Sequence, residues 1–399
     1  MTDEELERFA ELVVGFGANV QPGQVVAIGT EPGKERITRA LAAEAYRRGA
    51  RFVDVAWFDV HVKRARIAYA AQDTLDYVPP WYGERILALG EHRAARIGLS
   101  GPVAPRLLED LDPARVGRDQ LPFVAETGRV VSERTTNWTI APAPTQEWAE
   151  LVYPGAPPAE AFERLWGAIR HICRLDEDDP VAAWRERMGT LVAAAGRLSE
   201  RRFDALHLEG PGTDLTVGLL PSSRWLAASF TTVDGIEHFP NLPSEETFTT
   251  PDPERVDGVV RATKPLALPG TIIQGLEVEF RDGRAVRIDA QAGADAMRAL
   301  CERDEGAARL GEVALVDREG RIGPLDTVFY DTLLDENAAS HIALGRAYDM
   351  AVDDEADKRR ANVSDIHVDF MIGGPDVDAT GVTRDGARVP VLRDGAWAL

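Results

Sequence analysis

The amino-acid sequence predicts an α/β domain with a doubly wound, mostly parallel sheet, followed by a β-rich α+β domain. Three observations support this prediction. The chain has 399 residues, which is more than one hydrophobic core usually accommodates. Its first part alternates short apolar runs with amphipathic helical patterns, whereas its second part has short strand patterns separated by hairpin turns. We place the boundary near residue 190, so that the two domains comprise residues 1–190 and 191–399.

The parallel sheet of the first domain is predicted from the order of its elements. Helical patterns cover residues 4–15 and 36–48, and short apolar runs typical of buried strands cover residues 25–29, 51–57 and 96–101. Alternation of strand and helix favours parallel strands with helices on both faces of the sheet. The turn at residues 30–34 follows a strand and precedes a helix. It lacks the glycine spacings of phosphate loops, so we interpret it as a tight connection.

The second domain is predicted to be richer in strands. Helical patterns at residues 159–175 and 179–200 come before its first strand patterns. Residues 278–288 alternate apolar and polar side chains around Asp282-Gly283, which is a strong hairpin signal. Residues 206–210 and 215–219 flank another turn. These patterns indicate a β-rich α+β domain, to which we assign the catalytic residues described below.

The composition excludes two classes of function. A formal net charge of −21 argues against nucleic-acid binding through a basic face. It suits the attraction of cations or of substrates with a free amine, but solubility alone is the simpler account of the total charge. No run of 18 apolar residues is present, so the sequence predicts no membrane span. The first residues lack a signal-peptide pattern, and Cys173 and Cys301 share no metal-type spacing, which together predict a cytoplasmic protein with reduced thiols.

Histidines and carboxylates recur together in the second domain. The chain has only seven histidines, yet Glu336 precedes His341 closely, and Asp369 follows His367 by two residues. On a strand, His367 and Asp369 would point to the same face. Glu312 lies within an apolar run, where a lone buried carboxylate is costly unless it is paired or bound to a metal. Because carboxylates and imidazoles bind divalent metals, the sequence predicts a metal-dependent hydrolase.

Each of these residues also has a purely structural interpretation. Glu336 fits the N-terminal turn of a helix, where the helix dipole favours a carboxylate. Glu245 and Glu246 fit the first turn of a helix capped by Ser244. His341 alone fits a packing or surface histidine, so the metal site is favoured by the joint occurrence of the residues. The HExxH and GxSxG patterns are absent, which argues against a thermolysin-like protease and a serine hydrolase.

Five sequence blocks, in order along most of the chain, connect it to a known family. They are NWT at residues 137–139, GPGTDL at 210–215, NLPSEETFT at 241–249, DENAASHIALG at 335–345 and HVDFMIG at 367–373. With these blocks the chain resembles the thermophilic-type metallo-aminopeptidases of the aminopeptidase T and aminopeptidase S group, peptidase family M29. The resemblance implies a site for two divalent metal ions and an active-site tyrosine, Tyr348. The implied metal ligands are Glu246, Glu312, Glu336, His341, His367 and Asp369, with Glu245 as an alternative to Glu246.

The resemblance also implies what the protein does. It indicates a cytoplasmic homodimer that releases N-terminal amino acids from peptides with a free N-terminus. Two ions, chosen from Zn, Co, Mn or Mg, would share a bridging water. Glu312 or Glu246 would take its proton, and Tyr348 would donate a hydrogen bond to the oxyanion or bind metal directly. Two alternatives stay open: a metal-dependent hydrolase of another amide or ester, and a non-catalytic binding protein of the same architecture.

Overall fold

A computed structural model describes residues 1–119, 121–227, 229–268 and 271–399 of the chain. The chain divides into two compact units. The first comprises residues 1–186 and 229–244, and the second comprises residues 187–228 and 245–399. Residues 229–244 therefore belong to the first unit although they follow strands of the second unit along the chain.

The first unit is built around a four-stranded parallel sheet with the strand order β2-β1-β3-β4. Its strands are β1 (Val25–Thr30), β2 (Phe52–Trp57), β3 (Ala95–Ser100) and β4 (Asn137–Pro142), with a separate hairpin of β8 (Phe230–Thr231) and β9 (Glu237–His238). Its helices are α1 (Asp3–Glu11), a π-helical turn (Leu12–Gly17), α2 (Glu35–Arg47), α3 (Val60–Tyr69), a 3₁₀ turn (Gln72–Thr74), α4 (Pro80–Glu91), α5 (Pro113–Arg118), α6 (Ala125–Ser132), α7 (Gln146–Val152) and α8 (Pro158–Ile172). Helix α9 (Pro180–Arg201) contains the boundary between the units.

The parallel sheet confirms the α/β prediction for this part of the chain. The apolar residues Val26, Ile28 and Ile97 are buried, as expected for strands with a covered face. The connection from β1 to α2 is a short turn. Lys34, at its end, is buried, and its Nζ donates to Glu31 Oε2 at 2.7 Å and to the Leu99 carbonyl at 3.1 Å. An amine that is tied down in this way is not presented to a phosphate.

The second unit is rich in antiparallel strands, which confirms the β-rich α+β prediction. Its strands are β5 (Ala205–Gly210), β6 (Thr213–Leu219), β7 (Leu226–Ala227), β10 (Glu246–Thr249), β11 (Pro251–Arg261), β12 (Leu266–Leu268), β13 (Thr271–Ile273), β14 (Glu277–Arg281), β15 (Arg284–Asp289), β16 (Leu310–Val316), β17 (His341–Gly345), β18 (His367–Met371), β19 (Asp378–Val382), β20 (Arg388–Arg393) and β21 (Ala396–Trp397). Its helices are α10 (Ala294–Cys301), α11 (Thr332–Glu336) and α12 (Glu355–Lys358), with 3₁₀ turns at Gly323–Leu325 and Asp349–Ala351.

Two large sheets organise these strands. One has eight strands in the order β15-β14-β11-β6-β5-β19-β20-β21, and it includes the predicted hairpin of β14 and β15. The other has five strands in the order β18-β17-β16-β10-β7, all paired antiparallel. Among the described residues, the structure has no helix with the length and apolar character that crossing a bilayer requires.

Candidate metal centre

One face of the five-stranded sheet collects five of the predicted site residues. Residues paired directly across antiparallel strands share a face, and so do residues two apart on one strand. Glu312 on β16 pairs with Ala343 on β17, and Ala343 pairs with Asp369 on β18. The remaining members share this face by the same rule. Glu246 lies opposite Val316 and His341 lies opposite Ala314, and these two partners are on β16 at even spacing from Glu312. His367 is two residues from Asp369 on β18. Because side chains alternate between the two faces along each strand, residues from four strands meet on this face.

Two overlapping groups of potential ligand atoms lie on this face. The first consists of Glu246, Glu312 and His341, and the second of Glu312, His367 and Asp369; within each group the ligand atoms lie within 4.8 Å of one another. His341 Nε2 is 3.0 Å from Glu246 Oε2. His367 Nε2 is 3.2 Å from Glu312 Oε2 and 3.4 Å from Asp369 Oδ1. Glu312 belongs to both groups and therefore joins them.

Backbone contacts orient both imidazole rings toward the carboxylates. His341 Nδ1 lies 3.2 Å from the Ala339 carbonyl oxygen, and His367 Nδ1 lies 2.7 Å from the Arg346 carbonyl oxygen. A carbonyl oxygen only accepts, so each Nδ1 carries the proton and donates it. In the neutral ring, the Nε2 lone pair then faces the acidic cluster. This arrangement is typical of metal-binding histidines, whose second nitrogen is fixed by a backbone or carboxylate acceptor.

Glu336 reaches the cluster from a helix, but not from its N-terminal turn. Asp331 caps α11 by accepting from the Leu334 N–H, and Glu336 is the last residue of that short helix. The interpretation of Glu336 as a first-turn acid stabilised by the helix dipole is therefore wrong. The chain leaves α11 at Glu336 and enters β17 at His341. Glu336 is outside the two groups of ligand atoms, but it lies close enough for their carboxylates to act on its pKa.

Glu245 and Glu246 point to opposite sides of the sheet, because they are adjacent on an extended segment. The expectation of a helix capped by Ser244 is wrong, since β10 begins at Glu246. Glu245 is fully buried and accepts from Arg187 Nε at 2.6 Å. Arg187 also donates to both oxygens of Asp317, at 3.1 and 3.0 Å. This geometry favours Glu246 over Glu245 as a ligand.

Tyr348 lies beside the second group of ligand atoms. Its ring centroid is 5.0 Å from that of His367 and 5.6 Å from that of Phe248. His367 favours the phenolate, but burial and the carboxylates of Glu312 and Asp369 outweigh it, so the pKa of Tyr348 is raised. The hydroxyl therefore stays protonated at neutral pH and is available as a hydrogen-bond donor.

The crowding of acids and imidazoles shifts the pKa values of the whole cluster. Removal from water, reinforced by neighbouring carboxylates, raises the pKa of Glu312 and raises that of Glu336 well above its ordinary value. Burial opposes charge on His341 and His367, but the surrounding negative charge outweighs it and raises the pKa of both well above the ordinary value. Burial also opposes charge on Asp369, yet His367 holds the pKa of that carboxyl below its usual range.

These residues fit a divalent cation. Glu246 Oε2 and Asp369 Oδ1 are buried, and no donor of the described residues is aligned to hydrogen-bond to either atom. Their lone pairs share the space faced by the two Nε2 atoms. Mixed carboxylate oxygen and imidazole nitrogen donors suit Zn, Co, Mn and Mg. A cation would neutralise acids whose mutual repulsion otherwise raises their pKa values.

Comparisons with known proteins identify the family of the chain. A family model described as thermophilic metalloprotease (M29) matches residues 2–397. Aminopeptidase T of Thermus aquaticus is 43% identical over 404 residues, covering 99% of each chain. Aminopeptidase 2 of Geobacillus stearothermophilus is 36% identical over 407 residues, covering 100% of this chain and 98% of that protein. The solved structure of wild-type AmpT from Thermus thermophilus matches with a TM-score of 0.91 and 42% identity, covering 99% of each chain. The resemblance found in the sequence is confirmed.

Proposed function

We propose that this chain, which belongs to the M29 family of thermophilic metalloproteases, is a metal-dependent aminopeptidase that uses two divalent ions. The observation that carries the two-ion part is the position of Glu312, which is common to both groups of ligand atoms. Carboxylates often bridge two ions because each oxygen can bind one of them. Glu246 and His341 would complete one ion's ligands, His367 and Asp369 the other's, and Glu336 would join from the end of α11.

The ions would supply Lewis acidity and a water whose pKa is lowered toward neutrality. The protein's own residues would do the rest. Glu312 or Glu246 would accept the proton from the attacking water and return it to the leaving amine. Glu312 would do so only in place of binding both ions, because a carboxylate with an ion on each oxygen is a weak base. Tyr348, which stays protonated, would donate a hydrogen bond to the oxyanion that develops on the scissile carbonyl.

The proposed centre also supports selectivity for a free N-terminus. The substrate's free α-amine would bind one of the ions or pair with a carboxylate of the cluster, such as Glu246 or Asp369. A blocked N-terminus would lose this interaction. Peptides with a free N-terminus are thus the proposed substrates. The homodimer and the cytoplasmic location implied by the resemblance stay predictions.

The test compares free and blocked substrates in the metal-loaded protein. We expect the Co²⁺-loaded or Zn²⁺-loaded protein to hydrolyse aminoacyl-p-nitroanilides, to lose that activity with a chelator, and to leave the N-acetylated analogues intact. Equal turnover of the blocked substrates would favour a metal-dependent hydrolase of another amide. A protein that retains no metal after gentle purification and has no turnover after reloading would favour a non-catalytic binding protein.

A further inference from the structure

We propose that Asn337 is a positioning residue that holds the carboxylates of Glu246 and Glu336 at a fixed separation in the metal centre. This inference rests on the proposed function, because it concerns how the same site is built. Asn337 follows Glu336 directly and is completely buried. Its side chain makes three hydrogen bonds, and they join the start of β10 to the end of α11.

The first bond fixes the strand that carries Glu246. Asn337 Oδ1 accepts from the backbone N–H of Glu245 at 2.7 Å. That N–H is one residue before β10, outside the ladder that pairs Glu246 with Val316. The Glu245 side chain cannot swing away either, because Arg187 holds it on the opposite side of the sheet. The backbone that precedes Glu246 is therefore held from two directions.

The other two bonds fix the helix end that carries Glu336. Asn337 Nδ2 donates to the Leu333 carbonyl oxygen at 2.9 Å and to Glu336 Oε1 at 3.4 Å. The last carbonyls of a helix have no partner within the helix, and here a side-chain amide supplies one. The backbone N–H of Asn337 bonds instead to the Asp335 carbonyl, so the amide is the donor that reaches Leu333.

Only an amide of this length does all of this at once. The side chain must accept on one atom and donate twice on the other, which Asn does and Asp, Ser and Ala do not. The two carboxylates that it relates come from elements far apart in sequence, β10 and α11. Without the bridge, the end of α11 would lose its side-chain link to the start of β10. The metal-free protein would then have to restore the arrangement when an ion binds.

The experiment measures Co²⁺ affinity by titration calorimetry and the visible absorption of bound Co²⁺. In Asn337→Ala we expect Co²⁺ binding roughly 10–100-fold weaker than in the parent protein, as for other residues that orient metal ligands. Excess Co²⁺ should restore part of the peptidase activity. The matched control is Asn137→Ala in the first unit, since Asn137 is also buried and donates to the Ala18 carbonyl at 2.6 Å. That control should lose thermal stability but keep its Co²⁺ affinity.

An unchanged Co²⁺ affinity and spectrum in Asn337→Ala would overturn the proposal, even if the variant melted earlier. Should Asn337→Ala fail to fold, Asn337→Ser provides the same measurement, because its shorter side chain cannot span from Glu245 to Leu333. The parent protein is titrated first. Absence of Co²⁺ uptake there refutes the proposed function itself, whereas normal uptake in both the parent and the variant refutes only the role of Asn337.

Discussion

Glu312 Oε2 on β16 lies 3.2 Å from His367 Nε2 on β18, across the strand that carries His341. Because Glu312 shares ligand groups with both histidines, we expect Glu312→Gln to lower the number of bound ions more than Glu246→Gln, which touches one group only. Metal per chain, measured by mass spectrometry after dialysis, checks this. Glu302→Gln, at an exposed acid, should bind metal normally. Equal losses in the Glu312 and Glu246 variants would contradict a shared carboxylate.

Metal binding should release protons and strengthen as pH rises through neutrality. The pKa values of His341 and His367 are raised in the metal-free protein, so both rings are protonated there at neutral pH. An ion needs the Nε2 lone pair and must displace each proton. Calorimetry in two buffers of different ionisation enthalpy counts the protons released. Binding that is independent of pH between about 6 and 8 would show that the rings are already neutral.

Tyr348→Phe separates a role in the transition state from a role as a ligand. If the hydroxyl stabilises the oxyanion, kcat should fall by roughly 10²–10³-fold while the bound metal stays constant. The aromatic contacts with Phe248 and His367 survive in the variant, which limits structural effects. A loss of bound metal in Tyr348→Phe would instead place the phenol oxygen among the ligands.

The buried Arg187 should be a strong determinant of stability. Replacing it by Met leaves the carboxylates of Glu245 and Asp317 buried without their common cation, which typically costs about 3–5 kcal/mol. Denaturant unfolding of the metal-free protein measures this change. Arg185→Met, at an exposed position on the same helix, should alter the free energy of unfolding little. Similar effects in both variants would show that the ion pairs contribute no special stability.

His238 should make the first unit sensitive to acid. Its buried ring packs near Trp138 and Phe230, and burial lowers its pKa to about 4. Below the ordinary histidine pKa of about 6.5, the unfolded chain takes up a proton that the folded unit refuses, so stability falls between about pH 6.5 and 4. His238→Phe keeps the ring packing and should flatten this dependence in thermal unfolding. The variant His92→Gln, at an exposed histidine, should keep the pH dependence of thermal stability of the parent protein. If the pH dependence is also unchanged in His238→Phe, His238 is not its source.

Local periodicity was sufficient to predict much of the fold. The hairpin at Asp282-Gly283 and the parallel strands of the first unit follow from short-range patterns, and each is present. The shared face of His367 and Asp369 also follows from strand alternation, and their contact confirms it. In the hairpin and in the alternation along one strand, the deciding interactions lie within a few residues of each other.

The remaining features depend on partners that are distant in sequence. No local pattern indicates that Arg187 meets Asp317, or that Asn337 accepts from Glu245, because the pairs come together only when helices pack against strands that are distant in sequence. The structural interpretation of Glu336 as an acid in the first turn of a helix was wrong for a related reason. An acid beside small polar residues fits either end of a short helix, and the cap at Asp331 decides which end it occupies. A clue was available in the Glu-Asn pair at the end of α11, where an amide can satisfy a terminal carbonyl.

The chain order of the proposed ligands has a consequence for biosynthesis. Glu246, Glu312, Glu336 and His341 all precede the last pair, His367 and Asp369, which lies on β18. A ribosome-bound chain that has emerged only as far as β17 lacks the group of Glu312, His367 and Asp369. Assembly of the proposed two-ion centre must therefore wait until β18 is translated, and a polypeptide released before that point would keep only the first group of ligand atoms.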